Sequence, residues 1–445
     1  MAVSAPLRAL ACIALAALVH AVTPPPDAMR AGLALFVLIG GLWMTQALHL
    51  SVTALLVPLL AVLAGLLSVR DALAAFANPI IFLFLGGFAL AAALQRHGID
   101  GALAATVMRL ARGHRVRAVL LLFALTAALS MWISNTATAA MMLPLALGLL
   151  HGDDTIGARE KTFVLLGLAY SASIGGIGTL VGSPPNAIAA AQVGLDFAGW
   201  LRIGLPMVAL LWPLMIGVLW LVLRPQLGGR FEAAVHEPLA WTRERRLAVA
   251  IFALTAAGWV GGAPLGRALG IGGDVDSVVA IAAVVALVAS GVLTWPDVER
   301  RTEWGVLLLF GGGLALSHVM GTSGASRFLA DALVTLLQGA PAWLLLLGVV
   351  AFVVFLTELV SNTASAALLV PIFLGVAGAL GLPPALLAAA IAVGASCAFM
   401  LPVATPPNAI VYGTGEVPAG TMMRCGLVLN LVCIAAIAAV AGAPA

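Results

Sequence analysis

Charge is what this sequence lacks most. Only 9% of its 445 residues are Asp, Glu, Lys or Arg, while 63% are apolar. An average soluble chain is about one quarter charged, so there is no charged skin for a water-soluble fold. The basic residues number 21 against 18 acidic, and none form a stripe interleaved with aromatics. That excludes nucleic acid as a partner. Tyr is nearly absent, 2 of 445, so any aromatic belt rests on Trp and Phe. The four cysteines (Cys12, Cys397, Cys425, Cys433) all sit inside apolar runs. This excludes a secreted disulfide scaffold and fits small apolar filler. HExxH, Walker and dinucleotide-binding motifs are missing as well. The stretch Gly394-Ala395-Ser396-Cys397-Ala398 has part of a serine-hydrolase elbow, but it lacks the last glycine and a partner His. The chain is therefore not expected to be an enzyme.

What is present is long, continuous apolar runs, which argue for an all-α polytopic membrane protein and against a β-barrel. Eleven spans are expected, at roughly 8–22, 31–48, 52–67, 79–95, 162–193, 200–222, 246–263, 276–293, 303–320, 385–412 and 419–441. The first is read as a membrane helix, not a cleaved signal, because ten more come after it. Region 118–150 holds 33 uncharged residues, whereas two spans and a turn need about 40. Its middle is Ser134-Asn135-Thr136-Ala137-Thr138, costly as plain mid-membrane filler. A re-entrant hairpin turning near the midplane accommodates both facts. With 341–380 treated likewise, 16 basic residues fall on one side and five (Arg30, Arg70, Arg202, Arg267, Arg327) on the other. The positive-inside rule then places the N-terminus in the cytoplasm and the C-terminus outside.

Three segments recur in order. Gly86–Leu90 matches Gly312–Leu316 at offset 226, Ser134–Ala140 matches Ser361–Ala367 at 227, and Ser183–Ile188 matches Thr405–Ile410 at 222. The chain reads as an N-terminal helix (1–29) and then two halves, 30–223 and 244–445, with a polar cytoplasmic linker at 224–243. Each half holds five spans and one hairpin. Five is odd, so the halves lie in opposite orientation. Inverted repeats with broken helices near the midplane mark secondary transporters.

Four polar breaks converge in this reading: Ser134–Thr136, Gly175–Asn186, Ser361–Thr363 and Met400–Asn408. Broken helices expose carbonyls at one end and N–H groups at the other. The former suit a hard cation and the latter an anion. The neutral oxygens of Ser, Thr and Asn suit an alkali ion better than a transition metal. Glu358, three residues before Ser361, is the best-placed charge. It is read as the outer end of a hairpin arm or the partner of an Arg, because its repeat counterpart Met131 carries no charge.

At these residues the chain resembles the divalent-anion/sodium symporters, which include the dicarboxylate, citrate and sulfate carriers. Both Ser-Asn-Thr motifs, Gly182–Ile188 and the long stretch Ala395–Val411 carry the resemblance, which covers nearly the whole chain. It implies an elevator-type homodimer in the cytoplasmic membrane, with scaffold helices at 30–112 and 244–338. Each hairpin and broken helix would then lie at 113–223 and 339–445. It implies Na+ as co-transported ion at two sites. One would use Ser134, Asn135 and backbone near Gly182 and Ser183, with Ser130 assisting. The other would use Thr357, Asn362 and backbone near Ala404. A dicarboxylate such as succinate would meet Asn135, Thr136, Asn362 and Thr363, with Thr405, Pro406 and Ser183 alongside. A sodium-independent exchanger and a sulfate carrier of the same family are the alternatives.

Overall fold

Pro, Gly and short polar clusters punctuate the apolar runs, and in the computed structural model every run between them is helical. The structure describes residues 4–150, 156–228, 240–336, 341–377 and 382–442; part of the expected linker lies outside them. No strand occurs among the described residues. After α1 (Ala5–Val22) the first half runs α2 (Asp27–Thr45), α3 (Leu50–Leu63), α4 (Val69–Ala74), α5 (Pro79–Arg96), α6 (Ile99–Leu110), α7 (Arg115–Ser130), α8 (Asn135–Leu150), α9 (Ala158–Gly175), α10 (Pro184–Val193) and α11 (Phe197–Leu223). The second runs α12 (Arg243–Val260), α13 (Gly262–Leu269), α14 (Val275–Ala289), α15 (Trp295–Arg301), α16 (Trp304–Thr322), α17 (Ala325–Leu336), α18 (Ala342–Thr357), α19 (Asn362–Val376), α20 (Pro384–Ser396), α21 (Pro406–Tyr412) and α22 (Ala419–Ala441).

Among the described residues, seven helices are long and apolar enough to cross a membrane, or eight if α12 and α13 count as one span. This is fewer than the eleven expected from the sequence. The shortfall has local causes. The helices α3 and α14 are 14 and 15 residues long, about 21–23 Å at 1.5 Å per residue. The broken helices are divided into shorter pieces. The expected span 246–263 bends by 88° between α12 and α13, where Gly261 and Gly262 end one helix and begin the next.

From α5 to α11, each helix has a counterpart that starts 222 to 227 residues later, α16 to α22. The packing is exchanged between these counterparts. The helix α5 packs on α14, and α16 packs on α3. At the first contact a methyl on Gly86 would overlap Ala280, and at the second a methyl on Gly312 would overlap Ala54. Glycine is needed at both places because the two backbones touch there. Likewise α10 rests on α19 and α20, while α21 rests on α8 and α9, and α11 and α22 pack on each other. Each half thus supplies the second piece of its broken helix to the hairpin of the other half. This crossing brings all four polar breaks together.

Candidate functional site

Each hairpin turns over four residues, Met131–Ser134 and Glu358–Ser361, and its second arm starts on the motif Asn. A helix that starts there leaves its first N–H groups without intrahelical partners. Just before each turn lies a buried hydroxyl. Ser130 Oγ is 2.6 Å from Asn135 Oδ1 and 2.7 Å from the Ala172 carbonyl. Thr357 Oγ1 is 2.8 Å from both Asn362 Oδ1 and the Ala395 carbonyl. A hydroxyl has one hydrogen to give, so each triplet gathers more lone pairs than protons. The first triplet has further oxygens beside it. A methyl on Gly176 would overlap Asn135 Oδ1 and lie 2.9 Å from the Gly182 carbonyl. Ser130, Asn135 and Gly182 are therefore brought together as the sequence predicts, and so are Thr357 and Asn362. The carbonyls of Ala172 and Ala395 were missed. They come from helix ends, which residue type does not reveal.

The breaks are held open by buried side chains. After α9 come a tight turn at Gly176–Gly178 and a second turn over 180–182, with extended backbone at Thr179 and Ser183. Asn186 Nδ2 donates to the carbonyls of Gly176 (2.8 Å), Ile177 (3.3 Å) and Thr179 (2.7 Å). Asn408 Nδ2 does the same for Ala398 and Leu401, both at 3.1 Å. Trp200 Nε1 adds a bond to the Ile177 carbonyl, and Tyr170 donates to that of Phe399 at 2.6 Å. Without these donors the freed carbonyls would be buried unpaired, at about 1–3 kcal/mol each. Asn186 and Asn408 thus build the breaks and do not line the cavity between them.

That cavity has a volume of about 320 Å³, within the usual range for small-molecule sites. Both motifs line it, Ser134–Thr136 and Ser361–Thr363, with Gly182–Pro184 and Ala404–Pro407. Every residue expected to bind substrate is there: Asn135, Thr136, Ser183, Asn362, Thr363, Thr405 and Pro406. So are five of the seven expected sodium ligands, Ser134, Asn135, Gly182, Asn362 and Ala404. Among the described residues, neither Arg, Lys nor His lines it. Val181, Val403 and Glu358–Val360 line it too, and Gln46, Phe84, Phe88, Val306 and Glu303 extend the wall from α2, α5 and α16 and the turn before it. Glu303 faces the Ser134 hydroxyl. Nothing in the spacing of these five marks them, because they belong to elements distant from the motifs.

Glu358 does not fit its sequence reading. It does not simply cap an arm, and among the described residues no Arg pairs with it. Its side chain is buried, 4% exposed, and its carboxylate takes four N–H donors. They are Phe399 N at 2.7 Å, Met400 N at 2.8 Å, Leu401 N at 3.0 Å and Asn430 Nδ2 at 2.7 Å. Its repeat counterpart misled, because the first half solves the same problem differently: the Thr179 hydroxyl donates to the Met131 carbonyl. Ser396 is buried, donates to the Ala392 carbonyl at 3.1 Å and lies 3.5 Å from Ser183 Oγ. That is a packed serine, and among the described residues no base is hydrogen-bonded to it. Among the described residues no cluster of His, Cys, Asp or Glu could hold a transition metal.

Comparisons with known proteins bear on the family and the fold. Residues 41–394 match a family model described as citrate transporter. An uncharacterized transporter of Haemophilus influenzae is 51% identical over 429 residues, 94% of this chain and 92% of its own. Another, of Methanocaldococcus jannaschii, is 38% identical over 412 residues, 93% of both chains. The sodium-dependent dicarboxylate transporter SdcS of Staphylococcus saprophyticus is 33% identical over 428 residues, 89% of this chain and 82% of its own. Two solved structures share the fold. The YdaH transporter of Alcanivorax borkumensis has a TM-score of 0.58 at 19% identity, over 83% of this chain and 86% of its own. MtrF of Neisseria gonorrhoeae, from a class of antimetabolite efflux pumps, has 0.59 at 16%, over 87% and 85%.

Proposed function

Since this chain belongs to the citrate transporter family, among the divalent-anion/sodium symporters, we propose that it is a secondary carrier importing a C4-dicarboxylate such as succinate with Na+. It is an integral membrane transporter of that family; substrate, ion and mechanism are the proposal. The observation that carries it is the cavity itself. Both Ser-Asn-Thr motifs and both broken helices meet there, each hairpin places an oxygen triplet at its tip, and among the described residues no basic side chain lines the wall. An anion in such a cavity meets hydroxyls, amides and the N-terminal ends of α8, α10 and α19. Each N-terminal end carries about half a positive charge. Sodium ions at the two triplets supply the rest of the counter-charge. The anion therefore binds weakly to the sodium-free carrier, and that dependence couples the two gradients. SdcS, a sodium-dependent dicarboxylate transporter by its description, supports the choice of ion and substrate.

The mechanism we infer is an elevator. The hairpin arms α7, α8, α18 and α19 are 15 or 16 residues long, about 24 Å, short of a hydrocarbon core of about 30 Å. They suit re-entrant hairpins opening from opposite faces. The exchanged packing of the two halves supports an inverted repeat, and alternating access then moves one body against the other. A homodimer in the cytoplasmic membrane completes the reading. The test is uptake of labelled succinate by reconstituted protein. Uptake should require an inward sodium gradient and be competed by unlabelled dicarboxylate. Equal uptake in choline, or uptake needing only internal dicarboxylate, would overturn symport. Competition by sulfate but not succinate would overturn the substrate.

A further inference from the structure

The two hairpin tips are matched in sequence but packed unlike. Trp132 lies two residues before Ser134 in the first turn, and Leu359 holds the matched place in the second. The Trp132 ring is parallel to that of Trp259, with 6.4 Å between centroids, and edge-on to Phe252 at 5.0 Å. Both partners are on α12. Phe197, at the start of α11, stacks on Trp259 as well. Leu359, by contrast, is 72% exposed. The unwound segments repeat the difference. Val181 is 7% exposed, and a methyl on Gly87 of α5 would lie 3.0 Å from it, whereas the matched Val403 is 85% exposed. Gly313, matched to Gly87, faces Ala367 instead.

Two hydrogen bonds run beside the aromatic stack. The Phe197 N–H donates to Asp276 Oδ2 at 2.6 Å, and the Ser317 hydroxyl donates to Gln192 Oε1 at 2.7 Å. Leu50 and Ala91 stand at the positions matched to Asp276 and Ser317, so the second half cannot repeat either bond. Each of these contacts joins an expected scaffold helix (α5, α12, α14 or α16) to the body that carries the hairpins. Under the expected orientation, Phe197 and Trp259 lie toward the outer face. Gln46 and Glu303, which follows Arg300 and Arg301, lie at the cytoplasmic ends of the scaffold, where they wall the cavity.

We propose that Trp132, docked on α12, is a latch that holds the empty carrier with its cavity open to the cytoplasm. The proposal rests on the elevator reading. The second state of an inverted repeat has the packing of its halves exchanged. Leu359 and Val403 would then be covered, and Trp132 and Val181 uncovered. The exchange is uneven, because an aromatic pair contributes beyond the area it buries and a leucine does not replace it. That difference corresponds to about tenfold in the ratio of the two states. Trp132 does not line the cavity. It is a positioning residue, which acts through the tip that carries Ser134 and Asn135.

The test is the rate at which a membrane-impermeant maleimide labels two reporters in the full-length carrier, with choline in place of sodium and no substrate. Val181→Cys is read in intact cells and Val403→Cys in inside-out vesicles; the native cysteines are buried. With Trp132 in place, Val403→Cys should label fast and Val181→Cys slowly. Trp132→Leu should speed labelling of Val181→Cys about tenfold without speeding that of Val403→Cys. Phe252→Ala should act in the same direction, and it tests the latch even if Trp132→Leu does not fold. Together the two should give less than the product of their separate effects, because they remove one shared contact. An unchanged Val181→Cys rate, a rise at both reporters, or a full product would each overturn the proposal. Labelling of both reporters from the same face in every background would instead overturn the elevator reading beneath it.

Discussion

At the scale of single residues, the site works by placing oxygens where protons are short. Gly176 shows how narrow the tolerance is. Its Cα faces Asn135 Oδ1 and the Gly182 carbonyl so closely that a methyl overlaps the first. Gly176→Ala must push the amide oxygen or the unwound segment outward. A shift of about 1 Å in a positioned group is enough to cost on the order of 100-fold. We expect the half-saturating sodium concentration for uptake to rise at least tenfold while the protein still purifies as folded carrier. Uptake with wild-type sodium dependence would show that the first triplet is not a cation site. The Asn clamps should behave differently. Asn408→Leu strands the Ala398 and Leu401 carbonyls and should cost about 2–5 kcal/mol of stability, read as a fall in thermal unfolding temperature. The motif residues were legible in the sequence because polar side chains stand out in apolar runs. Glu303, Gln46 and Phe84 were not, since one cavity wall belongs to elements whose own sequence carries no polar break.

At the scale of helices, the repeat decides how much could be read. The matched Gly86 and Gly312 mark a pair of crossings, and the structure supplies the partners, Ala280 and Ala54, which are themselves repeat equivalents. Sequence matching saw the glycines but not what they touch, because contact between helices is set by rotation about their axes. Replacing Gly86 with Val should wedge α5 from α14 at a cost of about 1–3 kcal/mol. Gly312→Val should do the same to α16 and α3. Thermal unfolding of both single variants should fall by similar amounts, and indifference to both would show that these crossings are not tight. The short helices α4, α6, α15 and α17 went unforeseen for another reason. At 6 to 12 residues they are too brief for a membrane-length window, and they connect the longer elements.

At the scale of the whole molecule, the scarce charges carry the topology. The division of 16 basic residues against five goes with the inversion of the two halves that we propose, under which α6 and α17 would lie on opposite faces of the membrane. Those two helices occupy equivalent positions, each leading into a hairpin arm, and each offers an exposed arginine, Arg109 and Arg327. All four native cysteines are buried, so a single new cysteine can be read without removing them. Arg109→Cys and Arg327→Cys variants should then respond oppositely to a membrane-impermeant maleimide added to intact cells. The Arg327→Cys variant should label from outside, and the Arg109→Cys variant only after the membrane is opened. Labelling of both from the same side would remove the inverted repeat and with it the elevator, because two hairpins opening to one face offer no alternating access. Opposite labelling would make the two triplets, alike in chemistry, face opposite sides through opposite hairpins, which a carrier loading and releasing the same ions across the membrane requires.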